Sequence, residues 1–275
     1  MTTAFQDVSV QQVREYMTRH GENEYLLIDV RQPGEYARGH IPGAILIPLG
    51  ELPGRLRELP VDRDIFVYCH SGKRSKGAAI FIGSRPYVAG TVFNIHGGIH
   101  AWDGNLLPFF PAVTVFDSDG SDGEILHKAM ELERGAERFY AALGQRYGDA
   151  PWSGTLTVLA ESEVAHARIV YGFWTEMQTD PPEFAELYGN LAGTLVEGGL
   201  SIEALLTSLE EGQPHPCRAV LEMALTVEYA AYDLYRSMAH RFLGTAMEAA
   251  FNAIAEAEKV HMLLAARALG QCSDS

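Results

Sequence analysis

The sequence predicts two domains of different class, an α/β layer fold followed by an all-α four-helix bundle with one long crossover. Three observations carry this. Short apolar runs alternate with helical segments over the first part of the chain. A small, acidic, glycine-rich stretch, FDSDGSDGE, then occupies residues 116–124. Beyond it, Ala, Leu, Glu and Tyr recur at helical spacing over long segments.

The first part is built from buried parallel strands. EYLLIDV (24–30), DIFVYC (64–69) and GTVFNIHGG (90–98) are short and apolar, and each leads into turn residues. Helical segments are expected at 9–18, before the first of these, and at 73–83, between the second and third. The stretch at 116–123 cannot bury a face and reads as a linker. Helices are expected at 123–147, 153–179, 216–243 and 245–269, with a crossover at 180–215 that holds helical pieces of its own. The expected organisation is therefore a domain at 1–115, a linker at 116–123, a bundle at 124–270 and a tail at 271–275.

Composition narrows the function classes. The 275 residues are 47% hydrophobic, enough for two cores. No apolar run reaches the ~18 residues of a membrane span. The opening MTTAFQDVSV lacks the basic start and apolar stretch of a secretory signal. Three widely spaced cysteines, Cys69, Cys217 and Cys272, suit a reducing cytoplasm, with Cys217 and Cys272 incidental. Cys272 offers, in principle, an acceptor for sulfur from Cys69. Residues 1–116 carry 11 Lys+Arg and 11 Asp+Glu, so the whole net charge of −15 lies in the remainder. Such a surface repels nucleic acid and anionic lipid, and neither is expected as a partner.

YCHSGKRS (68–75) places a cysteine in a loop that can cradle an anion. Successive backbone N–H groups and a following helix N-terminus favour a thiolate at Cys69. Gly72 lets the loop close, and Lys73 and Arg74 add positive charge. A buried structural cysteine is the bland alternative, which the Gly-Lys-Arg-Ser sequel weakens. The segment resembles the rhodanese family over roughly the first 110 residues. LLIDVRQPGEYARGHIPGAILIP (26–48) is similar to its first signature, YCHSGKRS to its active loop, and IHGGIHAW (95–102) to its closing motif. Related phosphatase loops have five residues between Cys and Arg; here there are four, between Cys69 and Arg74. The resemblance implies that Cys69 takes sulfur from a donor such as thiosulfate, holds it as a persulfide and passes it to a nucleophile. It implies that Arg74, with Ser71, Gly72, Lys73 and Ser75, holds the anionic part of the donor. Asp29, Glu35 and His40 match motif positions and read as structural.

The second part contains a repeat. Glu133, Tyr140, Glu163 and His166 recur as Glu228, Tyr235, Glu258 and His261, all at an offset of 95. Glu163 and His166 share a helix face, as do Glu258 and His261. The midpoints of Glu133/Glu163 and of Glu228/Glu258 fall at residues 148 and 243, at the two hairpin links, so each pair sits at one height. Four glutamates and two histidines then converge inside the bundle, where carboxylates must be protonated or metal-bound. This is the ligand pattern of di-iron and di-manganese carboxylate bundles. Tyr140 and Tyr235 are placed to reach a ligating carboxylate with their hydroxyls. Glu161 and Glu256 share the offset and read as solvated.

This part resembles the rubrerythrin branch of the ferritin-like superfamily over about residues 124–269. The resemblance implies two iron ions per chain, with manganese or a mixed pair as alternatives, and reaction with peroxide or oxygen. Two features of that branch are missing: its Cys-x-x-Cys iron site and a further glutamate, at whose place stands Ala231. An external electron donor is therefore expected, beside small sulfur-containing donors and acceptors. The leading reading is a sulfurtransferase fused to a di-iron redox domain. Alternatives are an iron-storage bundle, or a metal-free and oligomer-forming scaffold, with the first domain as a delivery or docking module.

Overall fold

The computed structural model of the chain describes residues 5–209 and 215–272. Residues 1–4, 210–214 of the expected crossover and 273–275 of the expected tail lie outside that description. By contact, one unit comprises the residues up to Phe110 together with Arg236–Asn252. The other comprises Pro111–Tyr235 together with the residues from Ala253 onward.

The α/β part runs β1 (Gln6–Val8), α1 (Val10–Arg19), β2 (Tyr25–Asp29), α2 (Pro33–Tyr36), β3 (Ile45–Leu46), β4 (Asp64–Tyr68), α3 (Lys73–Gly83) and β5 (Val92–Ile95). Its five strands form one parallel sheet in the order β1-β5-β4-β2-β3. Strand alternation divides the core in two. Leu26, Ile28, Ile65 and Val67 face one apolar cluster. Tyr25, Leu27, Phe66 and Tyr68 face the other. Cys69 follows β4 in phase with Ile65 and Val67, so its side chain is directed into the first cluster. The short strands β1 and β3 were not expected from the sequence. At three and two residues, they are too short to show a period.

The helical part runs α4 (Asp122–Arg146), α5 (Ser153–Thr175), α6 (Phe184–Gly189), α7 (Ile202–Ser208), α8 (Pro216–Arg241) and α9 (Ala246–Leu269). The four long helices form a bundle. The stretch read as a linker supplies the start of α4. The Ser121 hydroxyl accepts from the Glu124 N–H, and the Glu124 carboxylate accepts from the Ser121 N–H, a reciprocal cap. The expected crossover contains α6 and α7, and its segment 193–200 enters the bundle core through Val196.

Cys217, in α8, and Cys272, beyond α9, form a disulfide that closes a 55-residue separation. This corrects the reading of both as incidental, and Cys272 offers no free thiol to a sulfur donor. The antiparallel α8–α9 hairpin brings the two chain positions together. Such a link stabilises by about 2–4 kcal/mol, mainly by restricting the unfolded chain. Among the described residues no helix is long and apolar enough to cross a membrane.

The crossover depends on Gly135 of α4. A Cβ built there would lie 1.8 Å from the carbonyl oxygen of Leu195, so only glycine lets the segment seat. Replacing it forces the two backbones apart. Gly135→Ala is expected to lower the free energy of unfolding by about 1–3 kcal/mol, read as a lower urea midpoint at unchanged slope.

Candidate functional site

Two groups of chemically active residues stand out, one in each region. The first lies at the carboxyl ends of β2 and β4, where parallel sheets place ligand sites. Cys69 is 1% exposed. Gly72, at φ +87°, turns the chain into α3, a conformation that suits glycine alone. Burial pushes the Cys69 thiol up. The Ser75 hydroxyl and the backbone N–H groups of Ser75, Ser71 and Gly72 pull it down, and they prevail, so its pKa lies below the ordinary value. Ser75 Oγ lies 3.5 Å from the sulfur and 2.7 Å from Asn94 Oδ1, and Asn94 Nδ2 donates to Asp7 at 2.6 Å.

Arg74 does not stand free in the loop. Its guanidinium donates twice to Glu35, Nη1 to Oε2 and Nη2 to Oε1, each at 2.7 Å. The hydrogen bond from Arg74 holds the Glu35 carboxyl down at about 2. Asp29 fixes Arg31 in the same way, accepting from its backbone N–H at 2.9 Å and from its guanidinium at 2.7 Å. His40 is buried and stacks on Tyr36 with ring centroids 3.8 Å apart. Arg31, Arg38, Arg74 and Glu35 line an open cavity of about 610 Å³, with His70 and His100 among its other walls. Lys73 and Ser71 are exposed and are not among the residues lining it.

The second group is buried among α4, α5, α8 and α9. The structure brings together all six glutamates and histidines expected to converge. His166 Nδ1 lies 3.3 Å from Glu133, 3.2 Å from Glu163 and 3.1 Å from Glu258. His261 Nδ1 lies 3.1 Å from Glu228, 3.4 Å from Glu163 and 3.5 Å from Glu258. Glu163 and Glu258 thus face both imidazoles, while Glu133 belongs to His166 and Glu228 to His261. The imidazole rings stack at 4.4 Å. The Tyr140 hydroxyl donates to Glu228, and that of Tyr235 to Glu133. Glu161 and Glu256 are exposed, as solvated helix positions are.

The donor chemistry fits a metal. Glu133 Oε2, Glu163 Oε2, His166 Nδ1 and both oxygens of Glu258 are buried without a hydrogen-bond partner. Glu163, His166, Glu258 and His261 each present a ligand atom, all within 4.8 Å of one another. Without a cation, burial and the charge of Glu258 push Glu133 up to about 8, against the pull of the nearby His166 imidazole. Burial opposes the His166 imidazolium, but the carboxylates of Glu258, Glu133 and Glu163 around it raise its pKa well above the ordinary value. Protons thus take the place of a cation.

Comparison with known proteins bears on the first group. A family model, the rhodanese-like domain, matches residues 12–105. A sulfurtransferase of Allochromatium vinosum is 44% identical over 85 residues, 31% of this chain and 78% of that protein. The chain belongs to the rhodanese-like family. A putative sulfurtransferase of Bacillus subtilis, YtwF, is 33% identical over 87 residues, covering 32% of this chain and 82% of that one. The solved rhodanese-like domain protein of Staphylococcus aureus is 25% identical and covers 38% of this chain and 98% of its own, with a TM-score of 0.34. The rhodanese match ends at residue 105, before α4 begins.

Within the rhodanese-like domain, the sequence did not reveal the Ser75–Asn94–Asp7 chain, nor that Glu35 occupies both terminal nitrogens of Arg74. Both are contacts between segments far apart in sequence. In the bundle it did not reveal Glu197, which is buried on the crossover.

The lowered thiol pKa has a direct readout. The rate of Cys69 alkylation plotted against pH is expected to turn on with a midpoint below the ~8.5 of free cysteine. Ser75→Ala removes one stabilising hydrogen bond and should move that midpoint upward. A midpoint at or above the free value in the native protein contradicts the assignment.

Proposed function

We propose that this chain is a sulfurtransferase working through a Cys69 persulfide, and that its bundle holds a dinuclear non-haem metal centre, iron by preference, that reacts with peroxide or oxygen. The observation that carries the second half is the pair of imidazole nitrogens, each facing three carboxylates, two of them shared. The first half rests on the depressed thiol of Cys69, whose loop lines a cavity with His70 and Arg74 beside Arg31 and Arg38.

The sulfur chemistry follows from the loop. The Cys69 thiolate attacks the outer sulfur of thiosulfate. A bond from Sγ to that sulfur forms as the bond to the sulfite group breaks, and sulfite leaves with the electron pair. The N–H groups of Ser71, Gly72 and Ser75 then face a persulfide in place of a thiolate. A nucleophilic acceptor attacks the outer sulfur, and the Cys69 thiolate is released. Arg74, held in one orientation by Glu35, presents its remaining N–H and its charge to the anionic donor.

In the bundle, His166, Glu133, Glu163 and Glu258 would hold one ion, and His261, Glu228, Glu163 and Glu258 the other. An iron pair bound there would supply electrons for reducing peroxide or oxygen, with an external donor to replenish them. Tyr140 and Tyr235 orient the outer carboxylates by donating to Glu228 and Glu133. The surrounding apolar side chains, among them Leu159 and Ala224, exclude bulk water.

Two outcomes are expected. Cys69→Ser abolishes thiocyanate formation from thiosulfate and cyanide, and Glu35→Gln lowers kcat/KM on the order of 10- to 100-fold by releasing Arg74. An unchanged Glu35→Gln enzyme would remove the positioning role. Separately, protein purified without added metal carries about two iron or manganese ions per chain. The Glu163→Ala/Glu258→Ala double variant, lacking both shared carboxylates, carries none.

A further inference from the structure

One more carboxyl group enters the bundle interior, and the repeat does not account for it. Glu197 lies on the crossover, in the segment between Leu195 and Leu200, yet it is only 1% exposed. Neither of its carboxylate oxygens is hydrogen-bonded to another residue. A loop side chain that was merely polar would turn to water. Burying an unpartnered carboxyl costs on the order of 1–3 kcal/mol when neutral and more when charged.

The local structure holds Glu197 where it is. The Val196 N–H donates to Leu200 O at 3.0 Å, and the Gly199 N–H to Val196 O at 2.8 Å, closing the turn. On one side the Leu195 carbonyl is pressed against Gly135 of α4, two residues from Glu133. On the other, a Cβ at Gly198 would lie 3.3 Å from that of Ala230 in α8, two residues from Glu228. The turn is wedged between the helices that carry Glu133 and Glu228. Val196 beside it belongs to the bundle core, and Glu197 is buried between the same two helices.

We propose that Glu197 is a fifth carboxylate donor to the metal pair, delivered by the crossover and not by a helix. This rests on the metal-centre reading above. A divalent ion among these residues would give the Glu197 oxygens the partner that the protein does not. The four helical glutamates are fixed by their helices, whereas the Glu197 carboxylate is carried on a turn seated through two glycines. The same physics makes it removable: the fold has no hydrogen bond to lose when the carboxylate is replaced.

The test compares the native chain with Glu197→Gln, which keeps shape and volume and removes the charge. Cobaltous ion is titrated into metal-free protein, and affinity, stoichiometry and the visible absorption of bound cobalt are read. The native protein should bind about two ions per chain. Glu197→Gln should bind at least one of them on the order of 10- to 100-fold more weakly, with an altered cobalt spectrum. Metal-free Glu197→Gln should melt close to the temperature of the metal-free native protein, because the carboxyl makes no hydrogen bond that the amide would lose. A variant with native affinity and native spectrum overturns the role of Glu197 and leaves the metal centre standing. Weaker binding by a variant that also melts well below the native protein when both are metal-free overturns it as well, because the loss is then one of fold. A native protein that binds no cobalt removes the metal centre and this proposal together.

Discussion

Carboxylates that face one another in a dry interior repel, and the helical part of this chain is organised around that fact. Glu133, Glu163, Glu228 and Glu258 are each 0–1% exposed, and among the described residues their ion-pair partners are His166 and His261. Two imidazoles and two phenols are the groups that answer them. The cluster is stable only if positive charge enters it, as protons on the histidines or as metal. The rest follows from the need to deliver six side chains to one height. Two hairpins of nearly equal helix length do this, and the sequence offset of 95 is its record. The tyrosines cross over: Tyr140 serves Glu228 and Tyr235 serves Glu133, so each hairpin orients the outer carboxylate of the other.

The rhodanese-like domain addresses the converse problem. There one negative charge is wanted on Cys69 in a place that burial disfavours. The protein uses backbone N–H groups at the start of α3 and one hydroxyl, which act at fixed positions and cost little reorganisation, with the charge of Arg74 nearby. The arginines are themselves held by acids, Arg31 by Asp29 and Arg74 by Glu35. Their positive charge is thereby partly offset and their direction fixed. That suits the anionic donor and product proposed for this site.

Much of this was legible in the sequence, for identifiable reasons. The long helices were found to within a few residues because 23 to 26 residues give several full periods. The six converging residues were found because duplication preserved both spacing and residue type. Glu197 escaped the same search because its place on the crossover has no counterpart: 95 residues away in either direction lies outside the bundle. Its burial depends on Gly135 and Gly198, and a glycine does not announce what it lies against. The Cys217–Cys272 link was legible in principle. Its midpoint falls beside Gly244, at the α8–α9 turn, so the arithmetic that paired Glu228 with Glu258 also pairs the cysteines. The prior for a reducing environment hid it. Glu35 was read as structural, but its partner Arg74 lies 39 residues away, and no local pattern joins them.

The central claim is that the buried cluster is a metal site and not a self-neutralised group of acids and imidazoles. The most direct measurement is anomalous X-ray scattering from crystals of protein purified without added metal, collected on either side of the iron and manganese absorption edges. The account predicts two anomalous peaks among the Nδ1 atoms of His166 and His261 and the carboxylates of Glu133, Glu163, Glu228 and Glu258. A cluster free of anomalous density, with each imidazole hydrogen-bonded to its glutamates even after crystals are soaked in ferrous or manganous ion, would contradict it.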